Sequence, residues 1–274
     1  MSNNVLQIDI DKVLADKAPD MARKLPRFVV SLLKKIIHQE GINAFLRKSG
    51  HLTGVEFAHS MIDHWQVTIR LEGVENIPAS GRFVFASNHP LGGLDGVALT
   101  SVLGRIFDGK VRFVVNDILM NIAPLSPVFV PINKHGGQGK SAAEAINEVY
   151  QSDLQVLFFP AGLVSRFQNG KIEDLEWKKA FIAKAKQYDR DVVPVYFGAR
   201  NSAFFYAVAY FRKLIGLKIN IEMLLLPREL FKQHGKTVTI RFGKPISCET
   251  FDKTKSLNEW ADVVKRTVYS LKAK

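Results

Sequence analysis

His89 and Asp95 are the residues of this chain best suited to moving a proton. They stand where an apolar run, Phe83-Val84-Phe85-Ala86, gives way through the polar pair Ser87-Asn88 to the loop Pro90-Leu91-Gly92-Gly93-Leu94. A histidine at a strand end is open enough to act as a general base, and a carboxylate against it fixes the tautomer and supports the imidazolium. His89 and Asp95 are too far apart in sequence to meet across one helical turn, so the loop between them must fold back, which Gly92-Gly93 permits. The same residues also read as a tight turn whose histidine only bonds its own loop.

Two other stretches pair a strand with a loop able to hold an anion. The run 154–159 ends in Pro160-Ala161-Gly162-Leu163-Val164-Ser165-Arg166. A guanidinium there suits a phosphate or carboxylate, because its planar fork donates two parallel hydrogen bonds; a lone loop arginine is otherwise a solvated surface charge. Residues 134–141, Lys-His-Gly-Gly-Gln-Gly-Lys-Ser, follow a strand and open a helix. A phosphate-binding P-loop needs glycine five positions before Gly139, and Lys134 occupies that place, which argues against nucleotide hydrolysis, though the glycine-rich amides at a helix N-terminus could still cradle a phosphate. His59 and His64 lie about 140° apart on a helical wheel and do not share a face, which argues against a metal site.

The elements around these residues predict an α/β fold: a mixed, mostly parallel sheet flanked by helices, with an N-terminal helical segment. Residues 1–64 form that segment. Around Pro26, Leu25, Phe28, Val29, Leu32, Leu33 and Ile36 recur at helical spacing, with Arg23, Arg27 and Lys34 opposite them. Such a basic amphipathic helix either lies in a membrane interface or packs on its own domain. Residues 65–274 form the α/β domain. Strands are expected near 67–71, 82–87, 111–115, 127–132, 154–159, 191–197 and 237–242. Helices are expected over 96–107, 141–151, 171–188 and 256–272, with a short one at 117–122. Ligands of such sheets gather at the carboxyl ends of strands, where His89 falls. Residues 202–226 are mostly apolar and aromatic, and fit a core, an acyl-chain groove or a membrane interface.

The chain of 274 residues carries 38 Lys+Arg against 26 Asp+Glu, a net charge of +12 that suits anionic partners. Nucleic acid is disfavoured, because the aromatics sit inside apolar runs and are not interleaved with lysines. Cys248, the single cysteine, rules out an intrachain disulfide and a cysteine metal cluster. The first residues lack the basic and apolar regions of a secretory signal, and no uncharged apolar stretch reaches the ~20 residues that span a bilayer. The expectation is a peripheral protein on the cytoplasmic face of the membrane.

The stretch 88–95 resembles the first motif of the glycerolipid acyltransferase superfamily of the lysophosphatidic acid type, in which Asn-His, four residues and Asp form the catalytic pair. Here five residues intervene. The string His-Pro-Leu-Gly-Gly-Leu-Asp-Gly is similar to the branch of ornithine- and glycine-lipid O-acyltransferases and haemolysin-like proteins. Phe159-Pro160-Ala161-Gly162 resembles the third motif, Phe-Pro-Glu-Gly-Thr-Arg-Ser, with Ala161 in place of the glutamate and the arginine moved to Arg166. The resemblance implies transfer of a fatty acyl group from a thioester, acyl-CoA or acyl-carrier protein, to a hydroxyl of lysophosphatidic acid or a lyso-aminolipid, without a bound cofactor. It implies His89 as base and Asp95 as its support, Asn88 and Gly162 beside the substrate, and Arg166 with Lys134 on the acceptor's anionic head. Amides of Gly92, Gly93 or Gly162 are the expected oxyanion donors. The rival reading is a non-catalytic basic protein that binds lipid or membrane, in which His89 and Asp95 need not meet.

Overall fold

The computed structural model describes residues 7–17, 19–132, 139–217 and 219–272. Helices α1 (Ile10–Lys17), α2 (Pro19–Lys24), α3 (Arg27–Ile37), α4 (Gln39–Ser49) and α5 (Gly54–His64) lead into β1 (Thr68–Glu72), β2 (Phe83–Ser87), α6 (Leu94–Ile106), β3 (Val111–Asn116) and β4 (Phe129–Ile132). Then come α7 (Gly139–Gln151), β5 (Gln155–Phe158), β6 (Arg166–Gln168), β7 (Lys171–Glu173), α8 (Ala180–Gln187) and β8 (Asp191–Gly198). The chain closes with α9 (Ala203–Leu214), α10 (Leu226–Phe231), β9 (Thr237–Phe242) and α11 (Leu257–Ser270).

The main sheet runs β1-β9-β8-β2-β5-β3-β4, with β8 and β9 as its antiparallel pair and every other neighbour parallel. All five residues of β2 are buried, as expected of a central parallel strand covered on both faces. One face packs on α4, α5 and α6 through Phe45, Phe57, Ile62, Ala98 and Leu103. The other is covered by α8 and α11 through Phe181, Ala185, Val264 and Val268. The core therefore runs across residue 64, and α4 and α5 are part of the body that carries the sheet. At Gly104 on α6 an added Cβ would come within 2.4 Å of Val55 Cγ1, so glycine is what lets α5 lie so close.

One expected element is replaced. Residues 171–188 do not form a continuous helix: β6 and β7 make a hairpin, and helix begins only at Ala180. Asn169 (φ 50°) and Gly170 (φ 76°) between the two strands are both in the left-handed region, the two-residue turn that matches strand twist. Trp177, Phe181 and Ala185 have helical spacing and are all buried, but Trp177 reaches the core from the loop before α8.

Candidate active site

Because β2 lies parallel to β5 on one side and to β8 on the other, the residues just past their carboxyl ends converge. His89 follows β2, and its ring stacks on Phe159, just past β5, at 4.2 Å between centroids. The loop 90–93 turns back as expected. Gly92 holds φ +78°, and an added Cβ would come 2.4 Å from Val164 Cγ2, so the turn requires glycine there. Gly93 is extended at φ −162°.

That turn brings Asp95, in the first turn of α6, to His89: Nδ1 lies 3.0 Å from Oδ2. Asp95 is fully buried and also accepts from the amides of Leu91 (2.9 Å), Gly92 (3.2 Å) and Gly96 (3.0 Å). Burial pushes the Asp95 carboxyl up, but the His89 charge and hydrogen bond, with the loop amides, outweigh it and hold the pKa below the usual carboxylate range. Burial likewise pushes the imidazole down, and the Asp95 charge and bond, with Asp174 behind, carry it above the ordinary histidine value. An anionic Asp95 accepts the Nδ1 proton, which leaves Nε2 as the nitrogen for chemistry.

His89 lines an apolar cavity of about 520 Å³, within the ~300–1,000 Å³ typical of small-ligand pockets. Its walls come from α4 and α5 (Phe45, Met61), from α6 (Val97) and from the approach to α10 (Met223, Leu226). The side chain of His89 is 15% exposed. A base at the wall of a greasy chamber is thereby open to a reactant yet largely dry.

The other expected site residues fall differently. Asn88 is buried, donates from Nδ2 to the Phe197 carbonyl (3.1 Å) and accepts from the Phe197 amide (2.6 Å). Both ends of its amide are engaged in tying β2 to β8. Arg166 is buried too. It donates to Glu222 Oε1 at 2.8 Å and to the Val164 carbonyl at 2.6 Å, and its guanidinium lies 5.5 Å from the Phe205 ring centre. The charge expected to meet an acceptor's head group is thus met internally by a carboxylate 56 residues away in sequence. Of the three candidate oxyanion amides, Gly92 donates to Asp95 and Gly162 to the Phe159 carbonyl (3.0 Å). The Gly93 amide donates to nothing among the described residues, and Gly93 lines the cavity. Lys134 lies outside the described residues. His59 faces Ser101 (3.3 Å) and Asp63 (3.5 Å), and among the described residues no group of His, Cys, Asp or Glu is arranged to hold a metal.

Asp174, unmarked in the sequence, is buried beside His89. Its Oδ1 accepts from the His89 amide (3.1 Å) and the Ser165 hydroxyl (2.5 Å), and its Oδ2 from Trp177 Nε1 (2.9 Å). The Ser165 amide in turn donates to the His89 carbonyl at 2.8 Å. The histidine's backbone is fixed on both sides by this clasp. Burial raises the Asp174 pKa despite those donors.

Glu222 is the second unmarked group. Fully buried, it also lies 2.9 Å from Arg212 Nε, without hydrogen-bond alignment. Glu222→Ala would strand two largely buried guanidinium groups and is expected to destabilise the fold by about 3–5 kcal/mol, read as a lower denaturant midpoint at unchanged slope.

Residues 12–274 match the protein family described as Acyltransferase. The chain is 52% identical over 269 residues to the lyso-glycine lipid O-acyltransferase of Bacteroides thetaiotaomicron, covering 98% of this chain and 99% of that protein. It is 46% identical over 269 residues to the protein of the same name from Phocaeicola vulgatus, covering 98% and 96%. A solved structure, the 1-acyl-sn-glycerophosphate (LPA) acyltransferase PlsC from Thermotoga maritima, aligns with a TM-score of 0.49 at 19% identity over 94% of this chain and 84% of that one. The family match over nearly the whole length, joined to relatives of about half-identical sequence, establishes that this chain belongs to the acyltransferase family and is an O-acyltransferase.

Proposed function

We propose that the protein transfers a fatty acyl group from a thioester donor to the free hydroxyl of a lyso-glycine lipid, working peripherally on the cytoplasmic face of an anionic membrane. The observation that carries the reading is the 3.0 Å His89–Asp95 contact at the wall of the 520 Å³ apolar cavity, a base set against room for an acyl chain. The names of both relatives support the acceptor. A glycine lipid offers a carboxylate where lysophosphatidate offers a phosphate, and Ala161 in place of the family's glutamate is in keeping with a changed acceptor pocket.

In this mechanism His89 Nε2 takes the hydroxyl proton as the acceptor oxygen attacks the thioester carbonyl, while Asp95 supports the imidazolium. The new C–O bond forms, the C–S bond breaks, and the proton passes from His89 to the departing thiolate. The Gly93 amide and the N-terminus of α6 stabilise the oxyanion. No acyl-enzyme is required. Lys134 is the cation assigned to the acceptor's carboxylate; Arg166, ion-paired with Glu222 and bonded to the Val164 carbonyl, braces the loop after β5. No helix among the described residues is long and apolar enough to cross a membrane, which suits peripheral attachment.

The test is an assay of the purified protein with lyso-glycine lipid and lysophosphatidate, each with acyl-CoA and with acyl-carrier protein. Product is expected from lyso-glycine lipid with at least one donor. Equal or faster acylation of lysophosphatidate would overturn the acceptor, and no product in any combination would overturn the reaction.

A further inference from the structure

Helix α9 and the turn after it break the usual rule for surface helices. Phe205, Tyr206 and Ala209 face inward, as a core stripe should. The outward side is no more polar: Phe211 is 60% exposed, Leu214 70%, Ile215 73% and Ile219 71%, with Phe204 and Leu224 half-exposed at either end. Apart from Arg212 and Lys213 its residues are apolar or aromatic on every side, a composition that belongs in a core or in lipid, and this helix is at the surface of the chain.

The patch is tied rigidly to the active cavity. At the start of α9, Ser202 donates from its amide (2.6 Å) and hydroxyl (2.7 Å) to Glu229 on α10. Met223 and Leu226, on the stretch that carries Leu224, line the cavity holding His89. Neighbouring α3 packs on the one-turn helix Ile221–Leu225 and on α10, and it also leaves Phe28 and Leu32 exposed. The exposed charges on α3 and on 203–217 are all cations, Arg27, Lys35 and Lys213; Lys34 of α3 pairs with Asp11, and the Glu222 and Glu229 carboxylates are buried.

We infer that residues 203–224 are an interfacial insertion element: they dip into the acyl boundary of an anionic bilayer and hold the His89 cavity against it, with α3 as a flank. An apolar surface rimmed by cations and continuous with a lipid-sized cavity matches a membrane in both chemistry and charge. The inference rests on the lyso-lipid reading above, and it adds the orientation: the acceptor reaches His89 from the bilayer, along the wall formed by Met223 and Leu226.

The experiment uses the full chain and a variant carrying Phe211→Ser, Leu214→Ser, Ile215→Ser and Ile219→Ser. Both are sedimented with vesicles of mixed zwitterionic and anionic phospholipid, and both are assayed on a short-chain acceptor that is monomeric in vesicle-free buffer. The variant is expected to lose at least about tenfold in vesicle partition while keeping its activity on the monomeric acceptor within about twofold. Vesicle binding equal to wild type, whether because α3 alone suffices or because the patch instead joins two copies of the chain, overturns the inference. Absence of activity in the wild type sinks the functional reading and leaves the partition result to decide the surface on its own. Should the fourfold variant fail to fold by circular dichroism, the single Ile215→Asp, at an exposed helix end, decides by the same partition measurement.

Discussion

Replacing His89 with Ala is expected to reduce acyl transfer by about 10³-fold or more, the upper range for a lone general base, with vesicle binding and fold preserved. The size follows from what the ring does and from what its backbone does without it. Nε2 is the basic atom placed at the cavity wall, and the neighbouring Asp95 is fully buried behind the ring with its oxygens already holding three amides. Water entering the vacated space is a far weaker base than imidazole. The fold survives because the Asp174 and Ser165 bonds to residue 89 are made by main-chain atoms that alanine retains. Loss of the stack on Phe159 costs only about 1 kcal/mol. Single-turnover rates alongside thermal melts separate the two effects. A variant that melts like wild type and transfers at wild-type rate removes His89 from the reaction.

Asp95→Asn is expected to leave two signatures together. The rate plateau falls by about 10²- to 10⁴-fold, because an amide neither enforces the Nδ1–H tautomer nor supports the imidazolium. The lower limb of the pH profile of kcat/KM also moves to more acidic pH. The sign is fixed by the balance at His89. Burial favours the neutral ring, and the Asp95 charge and hydrogen bond overcome it, so the wild-type midpoint lies above the ordinary 6.5 and activity rises as pH climbs through it. With the charge gone, burial prevails and the midpoint drops below 6.5. The same raised pKa makes the pair stabilising at low pH: its contribution is complete below the unfolded value and is lost as pH rises through the folded one. A fallen plateau with an unmoved limb would assign Asp95 to loop architecture alone.

The strand-and-loop grammar of the centre was legible because its determinants are local. Four apolar residues, a polar pair and a glycine turn predict a buried strand ending in an exposed base, and Gly92 adopts the left-handed conformation that the fold-back from His89 to Asp95 needs. What escaped was set by distance along the chain. The partner of Arg166 is Glu222, in a segment whose apolar texture hides one essential acid. Asp174 sits in a stretch expected to be helical, because Trp177, Phe181 and Ala185 keep four-residue spacing whether or not helix connects them. The Asn169-Gly170 pair was the local signal for the hairpin there. Asn88 and Arg166 read as ligands for a substrate, since nothing in sequence shows that the Phe197 backbone and the Glu222 carboxylate engage them first. The exposed side of α9 is the converse case: its composition fits a core, an acyl-chain groove or a membrane interface alike, and only the packing shows that part of it is exposed.

The central claim is that one imidazole is made basic by a buried carboxylate, and the most direct measurement is a nitrogen-15 NMR titration of the His89 ring in the intact protein. The predicted result is a neutral ring carrying its proton on Nδ1 and a midpoint above 6.5 that drops in Asp95→Asn. A midpoint at or below 6.5 in the wild type, or a proton resting on Nε2, would contradict it.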